Sequence, residues 1–300
     1  MHTPFYADSH VEFIHHQSDM EGLDKDFLAS QITPGLIRQV SPELLFWAVY
    51  VDPDASAWEK ALWVLAQYKE VIAKEGWHTV MDKKDLQRTG TKVILHVEDI
   101  YCIGGDLTRI ERLHALGIRS IGLTHNHTNQ FSGGSLSPEE GLTALGRQAA
   151  GLIADTGMVF DYTHLGERAF LEAADSVSAL PFISHAGISG VYASPRNVSD
   201  AVLQKVAERD GYVGVGCAGS FLAKKNGTID DYLAQISHAA TVAGNQRTGI
   251  GSDLGGVTSY LPEGMGTIAD LSRLADRLPN LDILGANLLR FLNERSTLAD

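Results

Sequence analysis

Several apolar stretches of this chain end in a residue able to bind a metal or move a proton. "DSHVEF" sets His10 and Glu12 two residues apart, "HVED" carries Glu98, "LTHN" His125, "DYTH" His164, "ISHAG" His185 and "GSDLGG" Asp253. Imidazole nitrogens mixed with carboxylate oxygens suit a divalent cation of borderline hardness, zinc above all. Two such cations a few ångströms apart can lower the pKa of a held water from about 15.7 to about 7 and deliver hydroxide to a polarised carbonyl. Any one histidine after a strand is more often a hydrogen-bonded rim residue than a ligand. The recurrence of the pattern favours a shared site.

The elements that must position these groups are eight apolar, β-branched runs: "YADSHVEF", "LLFWAVYVD", "KVILHVED", "IRSIGLTH", "MVFDYTH", "PFISHAG", "YVGVGCAG" and "RTGIGSDLG". Between them lie helical patterns such as "SAWEKALWVLAQYKEVIAKEG", "SPEEGLTALGRQAAGLIADTG" and "VSDAVLQKVAERDG", with Ser, Thr or Asp start signals and, in most, a closing Gly. Strand and helix in this alternation predict an α/β fold, a single (β/α)8 TIM-type barrel over residues 1–300, and no glycine-rich dinucleotide turn follows the first strand. On pattern alone, an open doubly wound sheet is the alternative. A barrel gathers the carboxyl ends of its strands at one mouth, and His10 and Glu12, at i and i+2, face the same side of a pleat. Among the other histidines, His2, His78, His114 and His238 read as surface residues and His15 and His16 as a solvated loop. His96 shares a face with Glu98 and His127 with His125, as substrate contacts or as packing.

Composition narrows the function classes. The 300 residues are 44% hydrophobic, enough for a full core, and 24 basic against 37 acidic residues give a net charge of −13 without a basic run to grip a phosphate backbone. Nucleic acid and membrane are therefore not expected as partners. No signal-like or membrane-spanning stretch appears, which predicts a cytoplasmic protein. Cys102 and Cys217 lack the CxxC spacing of a zinc site and do not suggest a disulfide framework.

Taken in order, "DSHVE", "HVED", "LGIRSIGLTHNHTN", "GLTALGRQAAGLIADTGMVFDYTH", "PFISHAG", "SPRNVSD", "GIGSDLGG" and "LGANLLRFL" resemble the membrane dipeptidase (renal dipeptidase, peptidase M19) family of the amidohydrolase superfamily, over nearly the whole chain. The resemblance implies a metal-dependent amidohydrolase barrel with two zinc ions, cleaving the amide bond of a dipeptide-like substrate with a free carboxylate. It further implies that His10 and Glu12 hold one zinc, that Glu98 bridges, and that His164 and His185 hold the second. Asp253 matches a ligand and proton-transfer carboxylate, His125 a histidine at the substrate's reacting centre, and Arg196 the arginine that receives the substrate carboxylate. Asp8 is expected to orient a ligand. Arg196 could instead cap or pair with Asp200.

Departures from the family pattern bear on scope. Aspartate is usual where Glu12 stands, a small residue where His96 stands, glycine where Asp99 stands and a second aspartate where Gly255 stands. The extra methylene of Glu12 is expected to make its zinc the more easily stripped, and His96 and Asp99 are candidates for specificity. Two other readings stay open: a hydrolase of the same fold acting on a non-peptide metabolite, and a non-catalytic barrel with a decayed metal site. Members of the resembled family commonly pair, which implies a homodimer, and because a closed barrel offers no sheet edge the contacts are expected from outer helices and loops.

Overall fold

The computed structural model describes residues 5–223, 225 and 227–299; His2, read above as a surface residue, lies outside them. Eight parallel strands follow one another around a barrel: β1 Ala7–Val11, β2 Leu44–Val49, β3 Lys92–Val97, β4 Ile118–Gly122, β5 Val159–Asp161, β6 Phe182–Ile188, β7 Tyr212–Val215 and β8 Thr248–Ile250. Seven lie within the predicted runs, and β6 extends one residue beyond its run, to Ile188. Two further strands, His78–Thr79 beside β3 and Asn197–Val198 beside β6, were not anticipated. The regular ladder runs from β1 to β8 and the seam between those two is nearly closed. A parallel bridge joins Val11 to Leu254, Glu12 N donates to Leu254 O at 2.9 Å, and Asp253 N donates to His10 O at 3.0 Å.

These runs form strands because both faces are covered, one by helices and one by the barrel interior. Every residue of β2 and β3 is buried. Leu45, Trp47 and Val49 pack in the outer core, whereas Phe46 joins an inner cluster with Ile94, Phe182, Tyr212 and Phe291. The Phe182 ring stacks on Phe46 at 5.3 Å, Tyr212 at 5.4 Å and Phe291 at 5.5 Å, an apolar floor beneath the mouth. The pleat then carries β3 upward from Ile94 through His96 to Glu98, from apolar floor to polar rim.

Helix boundaries follow local capping. Helix Ala57–Glu75 stops at Gly76, whose φ of 69° suits a residue without Cβ. Helix Ala144–Asp155 begins well after Ser137 because Thr143, not Ser137, caps it, its hydroxyl accepting from Gly146 N at 2.9 Å. Ser199 caps helix Asp200–Glu208. Among the described residues, no helix is long and apolar enough to cross a membrane.

Candidate active site and metal centre

The carboxyl ends of the strands open into a cavity of about 280 Å³ lined by, among others, Glu12, Glu98, His125, His164, His185, Arg196 and Asp253. His10 lies at its base, completely buried. Three overlapping sets of donor atoms each fall within 4.8 Å: His10, Glu12 and Glu98; Glu98, His164 and His185; His10, His185 and Asp253. All six residues expected as ligands are therefore brought together, and Glu98 belongs to the two sets that separate the first-strand pair from the His164 and His185 pair. Glu98 Oε1 lies 2.7 Å from His164 Nε2, 3.5 Å from His185 Nε2 and 3.7 Å from His10 Nε2.

Local backbone sets these directions. His164 and Asp253 follow their strands with φ values of 67° and 65°, and Asn126 has a φ of 46°. The left-handed region costs a non-glycine residue roughly 1–2 kcal/mol, a strain concentrated where side chains must turn into the mouth. Pairing registers shift between Asp8 and Val11 in β1 and between Ile183 and Ala186 in β6. The second shift lets two successive residues, Ser184 and His185, point the same way, with Ser184 Oγ 3.0 Å from His185 Nδ1.

The electrostatics favour a cation-binding donor set. Burial, then the nearby Glu12 and Asp253 charges, pushes the Glu98 carboxyl well above its ordinary range. Burial also works to raise Glu12, but contact with His10 and His15 outweighs it and holds that carboxyl down at about 2. Burial raises Asp253 to about 7. Carboxylates crowded out of water cannot all ionise unless positive charge joins them. Burial and the neighbouring Arg196 lower His164 well below its usual value, and burial with His10 does the same to His185, so both imidazoles stay neutral, the form that binds metal. His10 Nε2 is buried with no hydrogen-bond partner among the described residues. Such a nitrogen aimed at three carboxylates fits a divalent ion.

Asp8 does not line the cavity. Its Oδ1 accepts from His10 N at 3.1 Å and Ser252 N at 2.9 Å, and its Oδ2 from the Tyr6 hydroxyl, so it ties β1 to the segment leading to Asp253. His96 lies below the rim, its Nδ1 3.0 Å from Ser120 Oγ and its ring 5.6 Å from that of His10. Asp99 accepts from Tyr101 N, His125 N and Asn129 Nδ2 at 2.7–3.0 Å. Neither His96 nor Asp99 lines the cavity; Asp99 acts on it by holding the His125 backbone. Burial, then Arg196, lowers His125 to about 4.

Arg196 Nη2 donates to His185 O at 3.0 Å and lies 3.3 Å from His164 Nε2, and its guanidinium sits 5.2 Å over the Phe221 ring. Asp200, the surface partner considered for it, instead lies 2.8 Å from His238 Nε2. His15 departs from its reading as a solvated loop residue: it lines the cavity, with Nε2 3.1 Å from Gly255 O and Nδ1 3.6 Å from Glu12 Oε2. His16 is half-buried against Trp63, and His127 is exposed and outside the cavity lining. His78, His114 and His238 are half-buried away from the site rather than fully exposed, and His78 is in a strand. Asn126, adjacent to His125, was missed: its Oδ1 lies 2.9 Å from His164 Nδ1 and its Nδ2 3.3 Å from His125 Nε2. An amide beside a rim histidine was the available signal.

Gly255 explains one departure. At φ 92° it lies so close to the first strand's end that an added Cβ would stand 1.4 Å from Glu12 O. Gly256 likewise clears space, since a Cβ there would lie 3.2 Å from Glu12 Oε2 and 2.8 Å from Asp253 Oδ1. Gly255 thus leaves room for the Glu12 backbone, and Gly256 for its longer side chain.

Comparison with known proteins places this geometry. An uncharacterized dipeptidase of Schizosaccharomyces pombe is 32% identical over 227 residues, 71% of this chain and 55% of its own length. The chain spans about half the length of the first relatives it matches. Its fold is similar to that of the metallopeptidase dipeptidase AC (TM-score 0.85, 22% identity, 98% of this chain and 99% of that one). It is also similar to a Rhodobacter sphaeroides metallopeptidase liganded with a phosphinate mimic of L-Ala-D-Ala (TM-score 0.82, 21% identity, 98% and 99%). The membrane dipeptidase model, peptidase family M19, matches residues 3–300, and the chain belongs to that family.

Proposed function

We propose that the chain is a zinc-dependent dipeptidase, one barrel domain over residues 1–300, that hydrolyses the amide bond of a dipeptide-like substrate with a free carboxylate. The observation that carries this reading is Glu98 shared by two donor sets, with Arg196 on the same cavity wall. His10, Glu12 and Glu98 would hold one ion and Glu98, His164 and His185 the other, with Asp253 beside the first. A pair of divalent ions held there would supply Lewis acidity to polarise the scissile carbonyl and acidify water. Arg196 takes the substrate carboxylate: among the described residues only its Nη2 has a hydrogen-bond partner, leaving donors for a two-point grip. Asp253, raised to about 7 by burial, is suited to take a proton on its carboxylate from the attacking water and return it to the leaving nitrogen. His125 faces the oxygen on which charge develops, where a preset donor contributes on the order of 3 to 4 kcal/mol.

The test is turnover of L,L and L,D dipeptides after chelation and zinc add-back, with elemental analysis during graded chelation. We expect up to two ions, the Glu12 site emptying first, and recovery of activity with zinc. No bound metal under any loading rejects the reading. Full loading without dipeptide turnover favours the non-peptide hydrolase. The cytoplasmic location and the homodimer remain expectations, checked by fractionation and sedimentation.

A further inference from the structure

Beneath the rim, a chain of hydroxyls leads from a buried carboxylate to two of the imidazoles. Asp161 Oδ1 lies 2.9 Å from Thr163 N, 3.1 Å from Ser184 N and 2.6 Å from Thr163 Oγ1. A carboxylate only accepts, so the Thr163 hydroxyl proton is committed to Asp161. Thr163 Oγ1 must then accept, and it does so from Ser184 N at 2.7 Å; its 3.0 Å contact with Ser184 Oγ therefore requires the Ser184 hydroxyl to donate. With its proton spent, Ser184 Oγ has only lone pairs for its remaining neighbours, His185 Nδ1 at 3.0 Å and His10 Nδ1 at 3.4 Å.

We propose that Asp161, Thr163 and Ser184 are positioning residues forming a one-way hydroxyl relay that places the proton of both His10 and His185 on Nδ1 and turns both Nε2 lone pairs toward the metal centre. A neutral imidazole carries one N–H, and the hydrogen bond at one nitrogen decides which atom stays free to bind metal. His10 Nε2, buried without a hydrogen-bond partner among the described residues, is what this assignment requires. His164 reaches the same tautomer by a separate route, through Asn126 Oδ1. One serine thus couples a ligand of the first ion to a ligand of the second. The inference rests on the metal-centre reading above for its purpose, but the tautomers themselves can be measured without metal.

The experiment is long-range 1H–15N NMR of the full chain with 15N-labelled histidine, zinc-loaded and chelated, with zinc affinity measured alongside. Signals are assigned through His10→Gln and His185→Gln. In the chelated wild type, both rings should carry Nδ1–H. Ser184→Ala and Thr163→Val should let Nε2–H appear in place of Nδ1–H and weaken zinc binding about 10–100-fold, the usual effect of losing a ligand's supporting partner. Thr163→Ser, which keeps the hydroxyl, should match wild type. A ring that carries Nε2–H in place of Nδ1–H in the chelated wild type overturns the relay. So does a Ser184→Ala protein with unchanged tautomers and unchanged zinc affinity. Nδ1–H on both rings in a wild type that takes up no zinc supports the relay while rejecting the metal centre; zinc uptake with Nε2–H in place of Nδ1–H in the chelated form rejects the relay alone.

Discussion

Glu98 and His125 line the same cavity, yet their losses should read out differently. Glu98 contacts His164, His185 and His10, so Glu98→Ala would remove the carboxylate that two donor sets share and should lower metal content and activity together. His125 belongs to none of the three donor sets. His125→Ala should keep metal near wild type and lower turnover; equal loss of metal in both variants would show that His125 is a ligand. Arg196 separates binding from chemistry in another way. On a free-acid dipeptide, Arg196→Ala should cost roughly 2 to 5 kcal/mol in kcat/KM, the range for deleting one member of a buried charge pair. The C-terminally amidated substrate, already poor, should scarcely change. Similar losses on both substrates would mean that Arg196 does not read the carboxylate.

At the scale of elements, the site depends on the seam between β1 and β8, where Glu12 N and Asp253 N are both held by backbone carbonyls. Gly255→Ala should force that seam open, because its Cβ would collide with Glu12 O. Gly76, at φ 69°, has nothing within 4 Å of an added Cβ. Gly76→Ala should therefore cost only the left-handed penalty of about 1 kcal/mol, while Gly255→Ala should cost clearly more and also weaken metal binding. Urea unfolding and zinc titration compare them; equal costs would mean that the seam yields freely. The seam also marks where the sequence stopped being informative. All eight strands were legible as apolar, β-branched runs, six of them ending in a possible metal ligand that announces the rim, and the donors proved adjacent. Not legible was what depends on returning loops and broken periodicity. His15 folds back onto Gly255 from an aperiodic loop, Asp99 spends its oxygens on its own turn and on His125, and the β6 register shift turns Ser184 inward beside His185. Strict alternation would have sent Ser184 and His185 to opposite faces.

For the whole molecule, the buried site links stability to pH and to metal. Burial raises the folded-state pKa of Asp253 from 3.8 to about 7, and Glu98 is raised as well. In the metal-free chain, the stability linked to these protons is complete below the ordinary carboxyl values and is lost as pH rises, for Asp253 toward about 7, at up to about 1.4 kcal/mol per pH unit for each group. His164 and His185 are shifted the opposite way, well below 6.5. Their contribution is present above 6.5 and is lost as pH falls through their folded values. The two trends oppose each other in mild acid; from 6.5 to about 7 the carboxylate loss remains, joined by that of His10, whose imidazole burial would lower but contact with Glu12 and the Asp253 charge raise. Zinc requires ionised carboxylates and neutral imidazoles, so binding displaces the carboxyl protons and strengthens as pH rises. Because a ligand that binds only the folded state raises Tm according to its affinity, the gap in Tm between zinc-loaded and chelated protein should widen from pH 5.5 to pH 7.5. The chelated protein should itself weaken between pH 6.5 and 7. Asp253→Asn removes one of the raised carboxyls, so its chelated form should lose less stability over that interval. Calorimetry of wild type and Asp253→Asn, each with and without zinc, measures these quantities. A gap that stays constant or narrows with pH would separate the buried carboxyls from metal binding and leave the donor set without its electrostatic reason to gather cations.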